Sequence, residues 1–123
     1  MLIFLLTLLG ACGTLARYWL QGWLQSHSYI GFPAGTLGVN LLGCFLLGAV
    51  GQLALQHLWF PPEWRIGITI GFLGAFTTFS TFSWESVRML EDGEWLPALL
   101  YIGASVIGGL LAVMIGIKLA ARF

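Results

Sequence analysis

The chain has 123 residues, of which 59% are hydrophobic and 8% charged, with a formal net charge of zero and a mean hydropathy of +0.92. That balance excludes a soluble core inside a solvated shell, and the lack of any basic cluster removes nucleic acid as an implied partner. A bilayer-spanning helix consumes about 20 apolar residues, so this length holds four spans with short connections, any chemistry lies within the helices, and no enzyme is expected.

The first predicted span runs from Leu2 to Leu24. Its opening residues, Met1 to Ala16, carry no charged side chain ahead of the apolar run, and the first cation is Arg17, so the segment reads as a retained helix and not a cleaved signal. A polar loop, Gln25 to Gly35, contains Ser26, His27, Ser28 and Pro33 and leads to the second span, Thr36 to Trp59. Pro61-Pro62 then forbids a continuing helix, and Glu63-Trp64-Arg65 makes an interfacial edge. The third span extends from Ile66 to Leu90, the acidic turn Glu91-Asp92-Gly93-Glu94 follows, and the fourth span runs from Trp95 to Ala121. Trp19, Trp23, Trp59, Trp64, Trp84 and Trp95 fall mostly near span ends, as an aromatic belt requires. Cys12 and Cys44 sit in apolar runs, where a thiol behaves as a small hydrophobe.

The third span departs from the pattern of the others. Between Gly71 and Ser83 it places Gly71, Gly74, Thr77, Thr78, Ser80, Thr81 and Ser83 at the depth of mid-membrane. Glycine beside β-branched threonine is a poor helix former, so a helix broken at that depth is expected, with freed carbonyls satisfied by protein, water or an ion. Close packing of small residues, for which Gly67 and Gly71 make a GxxxG pair, is the competing explanation.

Cations divide almost evenly between the two sides, with Arg65, Lys118 and Arg122 on one and Arg17 and Arg88 on the other. The positive-inside bias therefore selects no orientation. Insertion both ways, with two opposed copies paired about a twofold axis, follows as an expectation.

Among polar groups, Asn40 is the amide in the middle of an apolar span, and its NH2 offers two donors to an anion or to a packing partner. Thr77, Ser80 and Thr81 stand at i, i+3 and i+4 and would line one helical face with hydroxyls. Phe79 and Phe82 lie on a neighbouring face, and their positive ring edges could attract an anion without trapping it. Arg17, two turns from the end of the first span, can snorkel to an aqueous vestibule as an anion attractor or an anchor.

The segments Gly35-Thr36-Leu37-Gly38-Val39-Asn40-Leu41-Leu42-Gly43 and Gly71-Phe72-Leu73-Gly74-Ala75-Phe76-Thr77-Thr78-Phe79-Ser80-Thr81-Phe82-Ser83, with Arg17 upstream, closely resemble the Fluc (CrcB) fluoride channels over essentially the whole chain. The resemblance implies an all-α integral membrane protein of four transmembrane helices, the third broken at mid-membrane, assembled as an antiparallel dual-topology homodimer in a bacterial inner membrane. It further implies passive export of fluoride that relieves fluoride toxicity, along two pathways built from both subunits. The family's pore positions correspond to Asn40, Phe79, Ser80, Thr81 and Phe82, and a structural sodium ion would be held by the carbonyls of Gly74 and Thr77. Ala75 stands where the family usually has a second glycine, and Gly109 where many members have serine, which leaves a polar role in the fourth span to Ser105 and Tyr101.

A proton-coupled drug exporter can also be a four-span, dual-topology dimer, but it needs an intramembrane carboxylate. The first two spans contain no Asp or Glu, and Glu85 lies near the end of the third. A non-transporting assembly subunit would account for the small residues but not for the clustered hydroxyls.

Overall fold

The computed structural model describes residues 1–29, 31–57 and 59–123. Ile30 of the first loop and Leu58, near the expected end of the second span, lie outside the described residues. The described residues are helical throughout apart from short connections: α1 (Leu2–Ser26), α2 (Ala34–Gln56), α3 (Pro62–Ile66), a π-helical stretch (Gly67–Phe72), α4 (Leu73–Phe76), α5 (Phe79–Glu91) and α6 (Trp95–Ala120). Taken from α3 through α5 as one span, they make four helices long and apolar enough to cross a membrane.

Boundaries follow local chemistry. Pro62 opens α3 at its first helical position, where its fixed φ is pre-organised and its missing N–H costs nothing, so the third span starts four residues earlier than Ile66. At the other end of α2 the backbone turns extended at His57, with φ −111° and ψ 96°, and the helix stops short of the expected Trp59. Gly93 closes the turn between α5 and α6 at φ +78°, a conformation that a Cβ disfavours.

Helix contacts depend on small residues, because apolar surface gains little from association within lipid and close van der Waals packing has to replace it. α2 packs chiefly on α6, and a Cβ at Gly116 would meet the Phe45 carbonyl oxygen, as one at Gly48 would meet that of Val113. α1 packs chiefly on the π-helical stretch, and next on α2 and α4. Gly67 and Gly71, the GxxxG pair, face α1 in that contact, against Leu9 and Leu6. The wider turn is closed by the Leu73 N–H donating to the Ile68 carbonyl, five residues back.

A small core joins α5 to α6 through Phe82, Met89, Ala98 and Tyr101, with Phe32 and Leu37 against it. Leu5, Val39, Leu73 and Phe76 are buried as well, while many large apolar side chains point outward, among them Ile3, Phe4 and Leu8 on α1 and Leu99, Ile107 and Leu110 on α6. Such a surface suits lipid or a further helical surface and not water.

Candidate functional site: a helix break held by an amide

Helical bonding in the third span stops at Phe76 and resumes at Phe79. Thr77 and Thr78 between them are extended, with ψ 159° and 109°. The interruption is held from α2: the Asn40 Nδ2–H donates to the Thr78 carbonyl at 3.0 Å, and the Thr78 N–H donates to Asn40 Oδ1 at 2.7 Å. One side-chain amide thus supplies the donor and acceptor that a peptide unit would supply, and the N–H and carbonyl of Thr78 at the break stay satisfied. Asn40 keeps one N–H beyond this pairing.

Several carbonyls are released as a result, those of Gly74 and Thr77 among them. In an unbroken helix the Gly74 carbonyl would accept from the Thr78 N–H, but that N–H is given to Asn40. The Thr77 carbonyl would accept from the Thr81 N–H, which is given instead to Thr78 Oγ1 at 3.2 Å, the N-cap of α5. Gly43 makes room for the bend, since a Cβ there would meet the Thr77 methyl.

The expected face of Thr77, Ser80 and Thr81 hydroxyls does not form. Thr77 lies before α5 begins, and its Oγ1 donates back to the Leu73 carbonyl at 3.0 Å. Thr78 takes its place: its Oγ1 lies 2.9 Å from Thr81 Oγ1 and 3.3 Å from Ser80 Oγ. The i, i+3, i+4 spacing failed because it assumed continuous helix across the very residues that interrupt it.

A groove of about 400 Å³ runs beside the break, lined by Asn40, Gly43, Cys44 and Leu47 of α2, by Thr69, Leu73, Gly74, Thr77, Thr78, Phe79 and Phe82 of the third span, and by Ser105, Val106, Gly109, Leu110 and Val113 of α6. It therefore gathers Asn40, Gly74, Thr77, Phe79 and Phe82, while Ser80 and Thr81 reach it only through the Thr78 hydroxyl. Arg17, half-buried on α1, is not part of this lining. The Phe79 and Phe82 rings sit 5.5 Å apart at 48°, Phe79 exposed at 78% and Phe82 buried at 8%. Ser105 presents a buried hydroxyl with no hydrogen-bond partner among the described residues. Gly109 leaves its position on α6 without a side chain, within van der Waals reach of Cys44.

A polar recess lies at the α5–α6 end, with Gln21, Trp84, Glu85 and Arg88 in its wall. Half-buried Glu85 accepts from Thr36 Oγ1 at 2.8 Å and from the Tyr101 hydroxyl at 2.7 Å, and Gln21 Nε2 donates to the Thr36 oxygen at 3.2 Å. Tyr101 also touches Phe82, ring centroids 5.3 Å apart, and so connects the recess to the groove. Thr36, Thr78 and Glu85 carry this site without having been singled out for it. Their signal was faint: a lone threonine beside glycine, and a carboxylate near a span end.

Residues 4–117 match the family model described as CrcB-like protein, Camphor Resistance (CrcB). A Geobacter metallireducens protein named fluoride-specific ion channel FluC is 50% identical over 115 residues, covering 94% of this chain and 93% of the relative. Proteins of the same name from Geobacter sulfurreducens and Acidobacterium capsulatum are 47% and 42% identical, covering 98% and 92% of this chain and 96% and 90% of their own lengths.

Proposed function

This chain belongs to the CrcB-like family, and we propose that it is a fluoride-specific channel of a bacterial inner membrane, conducting passively and so limiting fluoride toxicity. The observation that carries the reading is that the matched residues, 4–117, contain the break, the groove and the Glu85 recess together, and that relatives matched over nearly all of this chain bear the fluoride-channel name. Passive flow is outward in an inside-negative cell, because the membrane potential acts on one charge with about 2.3 kcal/mol per 100 mV, roughly a fifty-fold concentration ratio.

The groove's chemistry suits a small, strongly hydrated anion. Its lining has no fixed cation to trap the ion, and it offers the remaining Asn40 N–H, hydroxyls and phenyl edges, each a weak donor or positive edge. Many weak contacts in series replace hydration without making a sink. As an open channel in one protomer, about 400 Å³ has room for on the order of ten or more waters and would not strip the ion.

We therefore take the functional unit to be an antiparallel homodimer in which a second copy covers the groove and the helix break lies at bilayer depth. Charge supports the inverted pairing: one end of the bundle carries Arg65, Lys118 and Arg122 with Glu63, the other Glu85, Glu91, Asp92 and Glu94 with Arg17 and Arg88. Two opposed copies bring unlike ends to the same membrane face.

A structural sodium ion fits the same account. The carbonyls of Gly74 and Thr77, released from helical bonding, are neutral oxygen donors of the type a hard monovalent cation takes. Bound there, sodium would offset the freed dipoles and fix the break, and it would not be transported.

Fluoride efflux from liposomes holding only this protein tests the function, with chloride as comparator. Rapid electrogenic fluoride release with chloride retained is expected, and equal or absent release of both ions refutes it. Flux that persists after full removal of sodium, with no substitute cation, would remove the sodium from the account. Single cysteines in the loop between α2 and α3, placed in a background lacking Cys12 and Cys44, should label from both sides of intact cells. Labelling from one side only contradicts the inverted dimer.

A further inference from the structure

The groove does not stop at the break. On α2, Asn40, Gly43, Cys44 and Leu47 line its main part, while Leu47, Gly48, Gly51 and Gln52 line a continuation toward the opposite end of the bundle. These positions advance by threes and fours along one uninterrupted helical face. α6 repeats the pattern, with Val113 shared by both parts and Ile117 in the far one. At 1.5 Å per residue, Gln52 stands about 18 Å along the α2 axis from Asn40.

Arg65 of α3 lines this far part beside Gln52. Its backbone is fixed, because Thr69 Oγ1, one turn on and itself in the groove wall, donates to the Arg65 carbonyl at 2.8 Å. Both ion pairs among the described residues belong to Arg88 at the other end, and Glu63, the carboxylate that shares α3 with Arg65, makes no ion pair with it. Its surroundings reinforce the charge: the Gln56 Nε2–H donates to the Ala121 carbonyl at 3.4 Å, tying the ends of α2 and α6 together and bringing Lys118 and Arg122 to the same end.

We propose that the Arg65 guanidinium and the Gln52 amide form an anion-gathering site at the end of the groove remote from Glu85, taking a small monovalent anion, which is fluoride on the channel reading this inference rests on. A guanidinium is more weakly hydrated than an ammonium and presents several donors in a plane. Exposed at a mouth, it concentrates anions by its field and releases them, whereas the same charge deeper in the groove would hold them. Gly51 leaves the wall beside it low, so the ion passes from Arg65 and Gln52 to the donors around Asn40.

The test is fluoride efflux from neutral-lipid vesicles containing the purified full-length protein, at ionic strengths of about 0.01 M and about 0.15 M, where screening lengths are about 30 Å and about 8 Å. Arg65→Gln should cut efflux roughly five-fold at low ionic strength and by less than about two-fold at the higher one. Arg65→Lys should recover most of that loss. Gln52→Leu should lower efflux by about two-fold at both ionic strengths, as expected of a neutral donor. Lys118→Gln, which removes a like charge at the same end but outside the groove, should lower efflux at low ionic strength by clearly less than Arg65→Gln does. Wild-type efflux from Arg65→Gln at low ionic strength overturns the site while leaving the channel reading intact. So does a loss equal at both ionic strengths, which marks a structural role, or a loss seen only in vesicles with anionic lipid, which marks a headgroup contact. Absent efflux from the wild type refutes the channel reading and this site with it.

Discussion

Replacing Asn40 separates its service to the backbone from its service to the anion. Asn40→Asp keeps an oxygen where the Thr78 N–H donates at 2.7 Å, but it turns the atom facing the Thr78 carbonyl at 3.0 Å from donor to acceptor. The Thr78 carbonyl, which as an N-cap carbonyl also accepts the first intrahelical bond of α5, loses one of its two donors, a cost of about 0.5–1.5 kcal/mol. Asn40→Ala loses that bond and also leaves the Thr78 N–H without its acceptor, about 1.5–4.5 kcal/mol on the same scale. Thermal stability of the purified protein should therefore fall in the order wild type, Asp, Ala. Fluoride efflux should follow a different order, since Asp also sets an acceptor in the path of an anion. Both variants should lose at least ten-fold, with Asp at or below Ala even though it is the more stable. An Ala variant as stable as the wild type would refute the paired amide, and an Asp variant with wild-type efflux would refute the donor role.

Phe79→Ile should abolish most fluoride efflux with little loss of stability, because the ring is 78% exposed in the protomer and contributes edge chemistry more than packing; wild-type efflux would return Phe79 to a packing role. Phe82→Ile should lose efflux and some stability as well, since that ring is buried against Tyr101. Gly43→Ala places a methyl against the Thr77 side chain and should destabilise the protein by about 1–3 kcal/mol in a thermal or denaturant assay. Tyr101→Phe removes one of the two hydroxyls that donate to Glu85, at about 1–2 kcal/mol, and should lower efflux roughly five- to ten-fold without unfolding the protein.

Hydropathy and proline placement made the four spans legible, since length and punctuation are local properties: Pro61-Pro62 and the turn at Gly93 bound them within a few residues. Glycine and threonine composition likewise pointed to the third span as the unusual one. The way its backbone is satisfied was not legible. Asn40 and Thr78 are 38 residues apart, and nothing local distinguishes an amide that mimics a peptide unit from one that packs. Thr36, Glu85 and Tyr101 meet across three helices for the same reason. Helical spacing misled at Thr77, because periodicity holds only while the helix continues. The π-helical turn escaped as well: its extra residue arises from packing Gly67 and Gly71 against α1, a tertiary effect that no run of side chains announces.

Selective, uncoupled passage of fluoride is measured most directly by the reversal potential of the purified protein in a planar bilayer with unequal fluoride on the two sides. A channel open to fluoride alone reverses at the fluoride equilibrium potential, about 59 mV for each tenfold gradient of a monovalent ion. The account predicts that value, unmoved when chloride is added to one side or when a pH gradient is imposed. Reversal near zero in the presence of opposing chloride, or a potential that follows the proton gradient, would contradict it.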